Sequence, residues 1–211
     1  MSLRHALMAL LEARPMTGYE LAKQFDESAR RVWHAQHPQI YTELRQLERK
    51  GLVDVAAAPR GAKATKRTYY LTEDGCDELA RWVNEVREPP LEHDAAYLKA
   101  SYLEFGSLEN ARRQFRAHLD HYQLLEQQWR AHADLLARRD TELMRLRLAR
   151  TPDASHDALV AFKVHVYRGL VERARTEIEW AQRGLKLLDE LERNSGIAPD
   201  EPLAPPTATL P

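Results

Sequence analysis

Residues 38–72 read PQIYTELRQLERKGLVDVAAAPRGAKATKRTYYLT, and the punctuation of this stretch decides the fold. Ile40, Leu44 and Leu47 recur at helical spacing and fall on one side of a helical wheel. Thr42, Arg45 and Arg49 gather on the other side, with Gln46 beside them and Tyr41 on the flank. Pro38 suits the first turn, where a missing N–H removes no hydrogen bond. Gly51 stands where a helix-ending glycine belongs. Residues 52–56 and 67–72 then have strand composition, and 57–66, with Pro59 and Gly61, predict a long hairpin tip.

Upstream, residues 2–13 carry Leu3, Ala6, Leu7, Leu10 and Leu11 along one helical face, and Pro15 stops that helix. Thr17-Gly18-Tyr19-Glu20 has the form of a capping box, in which hydroxyl and carboxylate satisfy the free amides of a new helix. Leu21, Phe25 and Ala29 give that second helix a buried stripe, and Trp33 with 34–37 forms a connector. Downstream, Thr72 caps a helix whose Leu79, Trp82, Val83 and Val86 are expected to face inward. Three helices, a hairpin and a helix, in that order, predict a winged helix-turn-helix. Its third helix stands proud to enter a major groove while the hairpin reaches the neighbouring backbone.

The formal net charge is −1, so a nucleic-acid binder of this composition must concentrate its positive charge locally. Residues 30–72 do so, with nine bases against three acids, while 73–94 hold eight acids and two bases. Tyr41, Thr42, Arg45, Gln46 and Arg49 are therefore candidates to read or anchor the groove. Arg60, Lys63, Lys66 and Arg67 are candidates to hold phosphates from the wing.

Glu88-Pro89-Pro90 marks a boundary between a DNA-binding domain, 1–88, and a helical domain, 91–193. Helices are expected over 93–105, 107–149 and 154–193. Leu108, Phe115, Tyr122, Trp129 and Leu136 repeat every seven residues, as do Val164, Val171, Ile178 and Leu185. These are seams for helix packing, and a rod over 107–149 is too long for the N-terminal domain to cover. Dimerisation through them is the expectation, with a hairpin closed within one chain as the competing reading. Residues 194–211, with five prolines and no aromatic, read as a disordered tail. The fold class is thus mainly α with a small β-hairpin wing.

Three segments together resemble the PadR family of bacterial transcriptional regulators: Thr17-Gly18-Tyr19-Glu20-Leu21, the run from Gln39 through Leu44, Leu47 and Glu48 to Val53, and Arg67-Thr68-Tyr69-Tyr70-Leu71-Thr72 with Gly75 and Leu79. The likeness spans about residues 3–88 and implies a dimeric winged-helix repressor on a near-palindromic operator in double-stranded DNA. It adds Tyr19 and Gln39 to the DNA-facing set. The family often has serine at the position of Gln39 and proline where Thr42 stands. The long C-terminal half resembles the branch with antiparallel coiled-coil dimers. Some members respond to phenolic or drug-like inducers. Trp33, Trp82, Tyr97, Tyr102 and Trp129 are the candidate pocket for a small aromatic inducer, with a plain core role as the competing reading.

One cysteine, Cys76, excludes a disulfide framework and a multi-cysteine metal site. Nucleotide-binding and nucleophile-elbow motifs are absent from the sequence, so neither a cofactor, a metal nor an enzymatic activity is expected. No stretch approaches the roughly 18 apolar residues of a membrane span, which suggests a cytoplasmic protein. The rival to a regulator is a helical protein-interaction module with a vestigial winged helix. Glu43 and Glu48 on the third helix favour that rival, and the four-base wing opposes it.

Overall fold

The computed structural model describes residues 3–27, 35–60, 64–88, 94–195 and 200. Ala29, Trp33, Lys63, the Arg60 side chain and nearly all of the expected tail lie outside the described residues. The chain divides into two compact units, one of Met1–Pro89 with Arg145–Thr151 and one of Pro90–Met144 with Pro152–Pro211.

In the first unit α1 (Leu3–Leu11) leads through β1 (Met16–Thr17) into α2 (Gly18–Glu27) and α3 (His37–Arg49). The hairpin β2 (Val53–Arg60) and β3 (Ala64–Leu71) follows, then α4 (Glu73–Asn84). The sheet order is β1-β3-β2, all antiparallel. Leu7, Leu21, Phe25, Ile40 and Leu44 are fully buried, so the stripes read from the sequence are the core. The α3 helix ends in a Schellman turn: Leu52 N–H donates to Leu47 O, Gly51 N–H donates to Glu48 O, and Gly51 takes φ +70°. Only glycine adopts that conformation without strain, and it turns the chain from helix into wing.

Two expectations for this unit are corrected. The ladder runs from Val53↔Leu71 out to Arg60↔Ala64, so most of the expected loop 57–66 is paired strand. Its alanines and threonine extend the ladder, and Pro59 opposite Thr65 does not end it. On α4, Leu79 and Trp82 are half-buried, but Val83 is exposed and Val86, beyond the helix, is 98% exposed. Trp82 instead stacks on the His5 ring of α1, centroids 4.5 Å apart and planes 8° from parallel.

The second unit holds α5 (Ala95–Ala100), α6 (Leu108–Ala137) and α8 (His156–Ser195), with short 3₁₀ turns at Leu103–Phe105 and Asp153–Ser155. Between α6 and α8 lies α7 (Glu142–Leu148). A single rod over 107–149 is therefore corrected to a helix of 30 residues, about 45 Å long, and a separate short one. Arg139 adopts φ +60°, Asp140 N–H donates to Leu135 O, and Thr141 Oγ1 accepts from Met144 N–H to start the next helix. The seven-residue step from Leu136 to Leu143 hides this break from a periodicity reading.

The α6 and α8 helices pack antiparallel. Phe115 lies where Gly184 leaves room, for a Cβ there would meet the ring at 2.5 Å. Arg112 pairs with Asp189 and, at 2.8 Å, with Glu192. Glu126 accepts from Arg175 at 2.9 Å and pairs with Arg130. The residues expected to form a subunit seam are consumed here: Leu108, Phe115, Trp129, Leu136, Val164 and Val171 are buried, and Tyr122, Ile178 and Leu185 half-buried, within one chain. Two amphipathic helices joined in one chain each supply the apolar face the other lacks.

Arg145–Thr151 was grouped by sequence with the helical domain, but its packing places it in the first unit. Arg147 donates to Ala9 O at 2.6 Å and to Glu12 Oε2 at 3.0 Å, and Arg150 donates to the carbonyls of Glu12 and Ala13 at 3.0 and 3.1 Å. Two cations thereby satisfy the C-terminal carbonyls of α1 and its dipole.

Candidate nucleic-acid interface

The interface begins at the start of α2. Thr17 N–H and Thr17 Oγ1–H both donate to Glu20 Oε2 at 2.7 Å, and Glu20 N–H donates to Thr17 Oγ1 at 3.2 Å. These bonds, the backbone one first, hold the Glu20 carboxyl below its ordinary range. The cap fixes Gly18 and Tyr19 at the head of the helix. Gly18 is there for proximity: a Cβ would lie 2.6 Å from Cε1 of Tyr41. The Tyr41 ring thus lies against bare backbone, and Tyr19 stands 74% exposed nearby.

A groove of about 1250 Å³ runs between the head of α2, the outer face of α3 and β3. Tyr19, Tyr41, Arg45, Arg49, Lys66 and Arg67 line it, with Glu20, Glu48 and the buried Tyr69. Thr42 and Arg49 are exposed, as an element offered to a duplex requires. Among the described residues Arg45, Arg49 and Lys66 make no ion pair, and all three are exposed on the groove.

Other expected residues are partly engaged. Gln39 Oε1 accepts from Gln36 N–H at 3.0 Å and caps α3, and the residue is exposed. Thr42 Oγ1 donates to Pro38 O at 2.9 Å. Gln46 is half-buried. Arg67 is exposed on the groove but paired: its Nη2 lies 2.8 and 2.6 Å from the two oxygens of Glu48, and its Cζ lies 5.9 Å from the Tyr69 ring centroid. Two roles are not legible in the sequence: Gly18 leaves room for the Tyr41 ring, and Glu48 pairs with Arg67, 19 residues away on a strand.

The described candidate inducer residues are each engaged within their own unit. Trp82 stacks on His5 in the first unit. In the second unit Tyr97 stacks on Trp180 at 4.3 Å and donates to Glu177 at 3.3 Å, while Tyr102 stacks on Phe105. Trp129 is buried with no partner for its indole N–H.

Residues 7–81 match the model of the transcriptional regulator PadR-like family. The chain is 29% identical over 192 residues to the negative transcriptional regulator PadR of Bacillus subtilis, covering 89% of this chain and 98% of that one. The crystal structure of Bacillus subtilis PadR in complex with operator DNA superposes with a TM-score of 0.66 at 26% identity, covering 89% of this chain and 99% of that one. The same protein in complex with p-coumaric acid gives a TM-score of 0.62 at 24% identity, covering 89% and 98%. Motifs, winged-helix topology and similarity along the chain agree: residues 7–81 are similar to the transcriptional regulator PadR-like family.

Proposed function

We propose that the chain is a cytoplasmic homodimeric repressor that binds a near-palindromic operator and is released by a small aromatic ligand. The observation that carries the reading is the groove itself, with Tyr41, Arg45 and Arg49 on α3, Tyr19 on α2 and Lys66 on β3 along one surface. Tyr41, Thr42, Arg45 and the Gln39 amide read base edges, Gln46 supports them from its half-buried position, and Arg49, Lys66 and the wing residues Arg60 and Lys63 hold phosphates. This division supports a two-fold arrangement, in which two α3 helices meet half-sites about one helical turn apart.

Dimerisation is assigned to the outer faces of the second unit, since the inner seams are closed within the chain. Phe162 is 73% exposed there, and Leu124, Val166 and Leu187 are also exposed. The ligand reading draws on Bacillus subtilis PadR, whose p-coumaric acid complex supplies the chemical class. Trp82, Tyr97, Tyr102 and Trp129 remain its candidate contacts. The reading includes no catalytic role.

Selection of bound genomic fragments by the full-length protein tests the proposal. Recovery of one near-palindrome supports it, and p-coumaric acid should dissociate that complex. Enrichment no different from random DNA refutes it.

A further inference from the structure

We propose that Glu48 is a specificity-determining residue, which holds Arg67 in an internal ion pair and so withholds one cation from DNA of any sequence. The inference rests on the DNA-binding reading above and deepens it.

Glu48 sits on the recognition helix, on the wall of a groove whose other charged walls are mostly basic. Both its oxygens contact the same Arg67 nitrogen. The pair lies in the open, with Arg67 49% and Glu48 37% exposed by side chain, so a phosphate could reach the guanidinium. To take a phosphate, Arg67 must release both carboxylate contacts and leave Glu48 facing the polyanion.

The consequence differs between operator and random duplex. Binding to random DNA rests on phosphate contacts alone, so each cation withheld weakens it directly. Binding to operator also rests on base contacts from α3, which depend on how that helix sits against β3. The Glu48–Arg67 pair ties those two elements together. Glu48 therefore subtracts from indiscriminate affinity while supporting the geometry of the specific complex, and the ratio of the two rises.

The test measures affinity of the full-length protein for a random-sequence duplex and for the selected operator across a salt series. Glu48→Gln frees Arg67, so the slope of log affinity against log salt steepens by about 0.9. Between about 50 and 200 mM salt, binding of random duplex by this variant then falls roughly threefold more than that of the wild type. Its operator affinity rises less than its random-duplex affinity, or falls. Arg67→Ala alone leaves the wild-type slope unchanged, because Arg67 is not on a phosphate there. Glu48→Gln with Arg67→Ala returns the slope to the wild-type value. If E48Q does not fold, as judged by helical circular dichroism, Glu48→Asp serves: it shortens the acid, weakens the pair and steepens the slope by less. An unchanged slope in E48Q, or in E48D where that variant stands in, overturns the inference, as does a flattened slope in R67A. In those cases a salt-dependent wild type leaves the DNA-binding reading standing. A wild type that binds no duplex removes both.

Discussion

Gly18→Ala separates what the groove needs from what the fold needs. The new Cβ would lie 2.6 Å from Cε1 and 3.2 Å from Cδ1 of Tyr41. Carbon atoms in contact settle near about 3.5–4.0 Å, so the ring must retreat by roughly 1 Å. Tyr41 is 39% exposed, and its ring can swing outward without disturbing the core. The cost to folding is therefore small. Replacing glycine within a helix returns up to about 0.5–1 kcal/mol, which offsets much of it. DNA binding has no such compensation. A displaced base contact costs about 1–3 kcal/mol, or roughly 5- to 150-fold in affinity. We expect G18A to melt within a few degrees of the wild type and to bind operator at least about fivefold more weakly by fluorescence anisotropy. In a Tyr41→Ala background the same change should do almost nothing further. Wild-type affinity in G18A would refute the reasoning, because Tyr41 would then tolerate displacement and could not be a positioned contact.

Arg45→Ala should weaken operator binding by about 1–3 kcal/mol and relax preference at one base pair, read by competition with single-substitution operators. Lys66→Ala should weaken all duplexes alike and reduce the salt slope by about 0.9. Burial pushes the His5 imidazole below its ordinary 6.5, against the opposing pull of Glu78. The unfolded chain then binds a proton that the folded state refuses, so stability falls as pH drops below about 6.5. His5→Phe, which keeps a ring against Trp82, should flatten that part of the pH profile of urea unfolding, and an unchanged profile would dismiss His5 as its source. Phe115→Ala, opening space beside Gly184, should destabilise the second unit by about 3–5 kcal/mol at fixed protein concentration.

The sequence was most legible where one residue type admits one local structure. Thr17 with Glu20, Pro38 and Gly51 each set a boundary that is found in place, because caps and turns act over three or four residues. The apolar stripe Ile40, Leu44, Leu47 placed α3 and left its outer face to be read directly. Long-range pairing was not legible. Nothing in the spacing of Glu48 and Arg67 announces that helix and wing pair with each other. Heptads show that a helix has a partner and not which one: the same stripe served an intrachain seam where a second subunit was expected. The end of α6 escaped notice because Arg139, an unfavoured residue for the left-handed turn, occupies it.

The guanidinium tie from Arg147 and Arg150 to the end of α1 has a consequence for biosynthesis. Translation delivers the wing long before it delivers these arginines. Until residue 151 has left the ribosome, the carbonyls of Ala9, Glu12 and Ala13 lack their finishing partners. A nascent chain cut at Pro89 should therefore hold its DNA-facing helices less firmly than the finished protein does. Grafting the reader onto another effector would have to carry the 145–151 strap along, from a part of the gene where no reader would be sought.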